Sequence, residues 1–159
     1  MGEAVSAGSS ILGVRISELR EIRDDRGAVL RMLRSDQPEF TRFGECYFSE
    51  IRAGAVKAWK RQKRRTQNLA VPVGRIRLVL LDDRGPVGRH EIHELGRPDA
   101  YRLLTIPPGI WYGFQGLGPG DALVANCSDL PHQKGEVDER QPQDPSMPAV
   151  WLKNISPSG

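Results

Sequence analysis

No segment of this chain keeps a helical repeat long enough to build a helix bundle; its hydrophobic residues come in short bursts, broken by Gly, Pro and Asp-rich punctuation. With Gly 17 and Pro 12 among 159 residues, the chain is rich in the residues that make turns. Strand character is read at Ile11 to Ile16, Ala28 to Leu33, Cys46 to Ile51, Ala55 to Trp59 and Gln67 to Val71. It continues at Arg75 to Leu81, Arg89 to Leu95, Tyr101 to Ile106, Tyr112 to Gln115 and Ala122 to Cys127. Asp24 to Gly27 reads as a turn, helical signal is confined to a turn around Asp36 to Thr41, and the GLGPGD of Gly116 to Asp121 reads as a hairpin turn, since no helix follows it. Short strands at this spacing predict an all-β single domain, a sandwich or barrel.

The organisation expected is a flexible leader over residues 1–10, a barrel over 11–130, and a segment over 131–159 rich in Pro, Gln and acidic residues. That last segment lacks periodicity and is expected to pack back through Val150, Trp151 and Leu152. No internal repeat or second domain is visible. The leader matches the loose myristoylation pattern at Gly2 and Ser6, although a small polar leader is the simpler reading. It lacks the basic and apolar regions of a secretion signal, and no apolar run approaches a membrane span. Cys46 and Cys127 are too few for a disulfide scaffold and are expected to be reduced small hydrophobes in a cytoplasmic protein.

Lys+Arg 23 against Asp+Glu 20 leaves a formal charge of +3, so the surface as a whole is no polycation. The cations concentrate in one run, Lys57 to Arg65, followed about twenty residues beyond Arg84 by the Pro-Pro-Gly turn of LLTIPPGIWYGF. Such a run can pass for a nucleic-acid patch. Here Trp59 and the bracketing strands place it inside a folded β unit, and no recognition helix or aromatic RNA-binding motif accompanies it. A pocket for an anionic ligand is the better reading, with no nucleic-acid or membrane partner.

The order of DDRG (Asp24 to Gly27), KAWKRQK running into QNLAVPVGRIRLVLLDDR, and IPPGIWYGF resembles the dTDP-4-dehydrorhamnose 3,5-epimerase family of cupins over about residues 11 to 152. The closing QDPSMPAVW is similar to the end of one subgroup of small epimerase-like proteins. The resemblance implies a cupin-type β-jelly-roll barrel, a homodimer, and a nucleotide-diphosphate 4-keto-6-deoxy sugar as ligand, with no metal or other cofactor. Its chemistry is removal of a proton from carbon beside a ketone and return of a proton to the opposite face. That needs a base at the carbon and donors at the enolate oxygen.

Carried onto this chain, the family pattern departs at the chemistry. The position of the catalytic histidine is Lys60, that of a second histidine in one subgroup is Gln62, and the histidine before Gly-Phe is Tyr112. The catalytic tyrosine aligns at Leu130 and Pro131, beside His132. The phosphate-binding arginine of the opener is present as Arg26, while the Phe and Glu that follow it in the family are Val29 and Arg31. The candidate catalytic residues are therefore Lys60, Tyr112 and His132. The candidate substrate-binding residues are Arg26, Tyr47 as a base-stacking group, Lys57, Gln62, Gln67 and Trp111.

Lys60 has three readings: a base of lowered pKa, a charged group on a diphosphate or ketone oxygen, or an exposed strand end. A lysine in water titrates near ~10.4 and must be desolvated to act as a base. Strict alternation would place Lys57, Trp59, Arg61 and Lys63 on one face and Lys60, Gln62 and Arg64 on the other, and the register of the family it resembles implies that Lys60 and Gln62 point into the barrel. One of Trp111 and Tyr112 must face inward; the tyrosine is then either a proton relay or a core aromatic. His90 and His93 are expected to face solvent. Metal-binding cupins need two histidines one residue apart, and Lys60 and Gln62 occupy that pair of positions, so no catalytic metal is expected. Two functions stay open: an isomerase with rearranged acid and base groups, or a catalytically silent cupin that binds a nucleotide sugar for regulation or partnering.

Overall fold

The structure, a computed structural model, describes residues 8–155. The myristoylation pattern and most of the expected leader lie outside the described residues. Twelve strands follow in order: β1 (Arg15–Glu18), β2 (Glu21–Asp24), β3 (Gly27–Leu30), β4 (Glu45–Ile51), β5 (Val56–Gln62), β6 (Gln67–Val73), β7 (Arg75–Asp82), β8 (Arg89–Gly96), β9 (Arg102–Ile106), β10 (Trp111–Gly116), β11 (Ala122–Ser128) and β12 (Val137–Glu139). They form two five-stranded sheets, ordered β1-β9-β6-β11-β4 and β12-β5-β10-β7-β8, and a separate β2-β3 hairpin. All pairings between these strands are antiparallel. The fold is an all-β cupin-type jelly roll.

Alternation fills the space between the sheets. Leu69 and Val71 of β6, Leu104 and Ile106 of β9 and Val124 of β11 meet Ile76, Leu78 and Leu80 of β7, with Tyr112 and Phe114 of β10. The intervening residues of the second sheet are covered as well: Trp59, Val79 and Trp111 pack under Met147, Val150 and Trp151. Burial on both faces is why β7 reads as a continuous apolar run. Leu152 differs from expectation, since its side chain is exposed and only its backbone is fastened, in two hydrogen bonds with Gln115.

Several expected boundaries shift. Ile11 to Val14 is a turn, closed by Val14 N to Ile11 O at 3.1 Å, whose Ile11 and Val14 side chains plug the core while Leu12 is exposed, so β1 begins only at Arg15. β2 went unread because EIRD shows no apolar alternation, and β3 ends at Leu30 rather than Leu33. The expected helical turn at Asp36 to Thr41 is a series of non-helical turns, and no described residue is helical. β12 lies within the segment read as unpatterned.

One irregularity decides the site. Tyr112 is paired with Lys60, but Phe114 is paired with Lys57, so β5 carries one residue more than β10 over this stretch. This bulge brings Lys57 and Lys60, three apart, to the same inner face and turns Trp59 outward. The expectation that Lys57 would share a face with Trp59 is thus corrected. Gly113, opposite the bulge, has no room for a side chain: a Cβ there would sit 2.5 Å from the Cβ of Ala58.

Candidate active site

Between the inner walls opens a cleft of two connected lobes that share Tyr47, Lys60 and Tyr112. The larger, of about 410 Å³, is floored by Leu69, Phe114 and Val124 and edged by Ser49, Lys57 and Asn126. The smaller, of about 310 Å³, adds Glu45, Gln62, Arg65, His132, Val137 and Glu139. Among the described residues Lys57 and Lys60 are the only cations lining the larger lobe, and none of those residues puts a carboxylate in its walls. The two carboxylates that described residues bring to the cleft, Glu45 and Glu139, lie in the smaller one.

The Pro-Pro-Gly turn sets β10 against β5. Gly109 takes φ 89, a conformation glycine adopts freely, and its N–H donates to Gln62 O at 2.9 Å. β10 then starts in register with the end of β5, Trp111 opposite Arg61 and Tyr112 opposite Lys60.

A buried hydrogen-bond chain links the walls. Arg65 Nε donates to Gln62 Oε1 at 3.2 Å, Gln62 Nε2 to Tyr112 Oη at 3.2 Å, and Tyr112 Oη to Gln67 Oε1 at 3.2 Å. Asn126 Nδ2 donates to both Gln67 Oε1, at 2.8 Å, and Tyr47 Oη, at 2.9 Å. Burial is the main influence on Tyr112 and pushes its phenol above the usual tyrosine value, against the bond from Gln62, so the group stays protonated. Tyr47 accepts from Asn126, and its own proton has no acceptor among the described residues. Arg65 is buried against Glu45 at 3.4 Å, and Glu45 also accepts the His132 backbone N–H at 2.8 Å. Lys57 Nζ donates to Ser49 Oγ at 2.8 Å.

Of the residues singled out from sequence, Lys57, Lys60, Tyr47, Gln62, Tyr112 and His132 line the cleft. Gln67 does not line it; it stands behind Tyr112 and Asn126 as their acceptor. Trp111 is a correction. It faces the outer side of the sheet, 1% exposed, between the guanidiniums of Arg61 and Arg140, each 4.5 Å from its ring centroid. A substrate in the cleft cannot reach it. Arg26 is likewise apart, at the tip of the β2-β3 hairpin, paired with Asp24 at 2.6 Å. His93 is not solvent-facing as expected: it meets Glu91 at 3.0 Å, beneath Ser9 and Ser10, whereas His90 is exposed. Cys46 and Cys127 are free and paired in register, but Cys46 is exposed rather than packed. Burial, with a bond to Cys46, pushes the Cys127 thiol up to about 12.

Most of the basic run serves the fold. Arg61 binds Asp138 at 2.9 Å, Arg64 binds Glu136 at 2.7 Å, Lys63 lies 3.8 Å from Asp138, and Arg65 holds Glu45. Only Lys57 and Lys60 of the run remain for the larger lobe. Among the described residues no group of three or more His, Cys, Asp or Glu is placed to hold a metal ion, and no helix is long and apolar enough to cross a membrane. Sequence reasoning missed Asn126, Ser49, Arg65, Glu45 and Glu139. Asn126 was the most findable, as a lone amide in the apolar ALVANC strand.

No protein-family model matches the chain. It is similar to a solved structure of a dTDP sugar isomerase from Desulfovibrio desulfuricans G20, with 49% identity, a TM-score of 0.87, and coverage of 92% of this chain and 96% of that one. A dTDP-4-dehydrorhamnose 3,5-epimerase from Bacillus anthracis shares the fold at 22% identity and TM-score 0.79, covering 93% of this chain and 90% of that one. The spore coat polysaccharide biosynthesis protein SpsL of Bacillus subtilis is 26% identical over 132 residues, 81% of this chain and 87% of that protein.

Proposed function

The chain belongs to the family of dTDP-4-dehydrorhamnose 3,5-epimerases and related dTDP-sugar isomerases, and from that premise we propose that it moves a proton at carbon beside the ketone of a dTDP-4-keto-6-deoxyhexose. The observation that carries this is the split of charge across the cleft: two lysines project from β5 beside an acid-free lobe, and the carboxylates are confined to the adjoining one. A diphosphate suits the first, and a neutral keto sugar losing a proton suits the second.

Lys57 and Ser49 then hold the diphosphate, and Lys60, where the lobes meet, carries its ammonium to the ketone oxygen and stabilises the enolate as its charge develops. Tyr47 faces Lys60 from the other sheet and, accepting from Asn126, keeps its own proton to give to the sugar. Tyr112 is a positioning group, its phenol committed between Gln62 and Gln67. His132 closes the rim of the sugar lobe. Nothing in this scheme uses a metal or organic cofactor. The product serves polysaccharide assembly in the cytoplasm, where nucleotide sugars are made and free thiols persist.

A homodimer is part of the same reading. β4 is an edge strand, and Phe48 on it and Phe43 just before it are 65% and 68% exposed, an apolar surface that a second copy would cover. Sedimentation at micromolar concentration should give twice the chain mass; a monomer there removes the dimer and leaves the reaction standing.

The reaction is tested with dTDP and with dTDP-4-keto-L-rhamnose in deuterated water. Binding of dTDP and solvent deuterium at carbon beside the ketone are the expected results. Binding without exchange on any 4-keto-6-deoxy nucleotide sugar would leave a silent binding protein, and absence of binding would remove the nucleotide sugar altogether.

A further inference from the structure

Glu139 on β12 is the direct antiparallel partner of Lys60 on β5, and both side chains line the smaller lobe of the cleft. Opposed side chains in such a pair leave the backbone about 4.5–5.5 Å apart at Cβ, so this ammonium and this carboxylate serve one small volume. The other acids of the segment are committed elsewhere, Asp138 to Arg61 and Glu136 to Arg64. Glu45, the second carboxylate of the lobe, is held by Arg65 and by the His132 backbone. Glu139 has no hydrogen-bond or ion-pair partner among the described residues, and neither does the Lys60 ammonium.

Building on the nucleotide-sugar reading, we propose that Glu139 is the general base of the proton transfer and Lys60 its electrostatic partner. A carboxylate accepts a proton at neutral pH as it stands, whereas a lysine must first lose one. Glu139 takes the proton from carbon beside the ketone. The C–H electron pair becomes the enolate double bond, and the carbonyl π pair moves to oxygen, where the Lys60 ammonium holds it. The new C–H bond forms with the Tyr47 proton on the opposite face. Glu139, now a carboxylic acid, returns a proton through solvent to the Tyr47 phenolate, so the cycle closes with no oxidant, reductant or co-reactant.

The test uses the full chain, dTDP, and dTDP-4-keto-L-rhamnose in deuterated water. Glu139→Gln is expected to slow exchange by about 100-fold or more while dTDP affinity stays within about threefold, and Glu139→Asp to regain part of the rate. Exchange by Glu139→Gln within about threefold of the unmodified protein overturns the assignment and leaves the reaction intact. Loss of dTDP affinity in proportion to the rate also overturns it, making Glu139 a binding group. If the unmodified protein binds dTDP and exchanges nothing, reaction and base fall together.

Discussion

The hydroxyl of Tyr112 donates to Gln67 Oε1 at 3.2 Å, a side-chain bond that ties one wall of the cleft to the other. In Tyr112→Phe, Gln62 Nε2 loses its acceptor in a buried place, which costs about 1–3 kcal/mol of stability. The ring packing is kept, so dTDP affinity should be unchanged while deuterium exchange slows about tenfold or more through the loosened walls. Urea denaturation and exchange rates check this; an unshifted midpoint would mean that water replaces the bond.

Lys57 and Lys60 share a wall and should separate by readout. Lys57→Ala is expected to weaken dTDP about tenfold, with the loss shrinking as salt rises. Lys60→Ala is expected to leave dTDP affinity within about threefold and slow exchange by about 100-fold or more. Titration calorimetry at two salt concentrations, paired with exchange rates, separates the roles. Equal effects of both variants on both readouts would refute the division.

Trp111 lies between two guanidiniums and anchors the C-terminal segment over the outer face of the second sheet. Trp111→Ala should cost about 3–5 kcal/mol, and Arg140→Ala about 1 kcal/mol, since it removes one cation from the ring. Protease sensitivity around residues 140–155 should rise in both, with dTDP affinity retained in Arg140→Ala. Unchanged denaturation curves would mean that the segment is held by other contacts.

Glu91 carries a pH signature. Burial opposes its charge, but hydrogen bonds from Ser9, the Ser10 backbone, His93 and the Ser10 hydroxyl together outweigh it and lower the carboxyl from 4.5 to about 2. A depressed carboxyl stabilises the fold above its unfolded pKa, and this contribution is lost as pH falls through the folded value. Glu91→Gln should therefore be less stable than the unmodified protein at pH 7, and the two thermal midpoints should converge between about pH 4.5 and pH 2. A constant difference across that window would assign the effect to packing.

The strands from Cys46 to Cys127 were legible because alternation and turn residues mark them directly, and the family motifs gave the barrel. β12 was not, because VDE has no pattern of its own and is a strand only by pairing with β5. Glu139 was missed with it. A bulge leaves no mark in composition, so alternation alone puts Lys57 on the wrong face. Trp111 and Tyr112 were known to point apart, but which of them the substrate meets depends on a tail that covers one side of the sheet. The cover of His93 is not legible locally, because Ser9 and Ser10 come from a distant part of the chain.

The extra residue in β5 makes the identity of the site a matter of counting. Deleting either Ala58 or Trp59 would restore plain alternation opposite Gly113 and put Lys57 and Lys60 two apart in strand order, still on one wall, with Lys57 opposite Phe114 and Lys60 opposite Tyr112 and Glu139 as before. The two lysines keep their partners on either side of the bulge, so a residue gained or lost in this stretch is absorbed opposite a glycine, with the apolar core between the sheets left as it is.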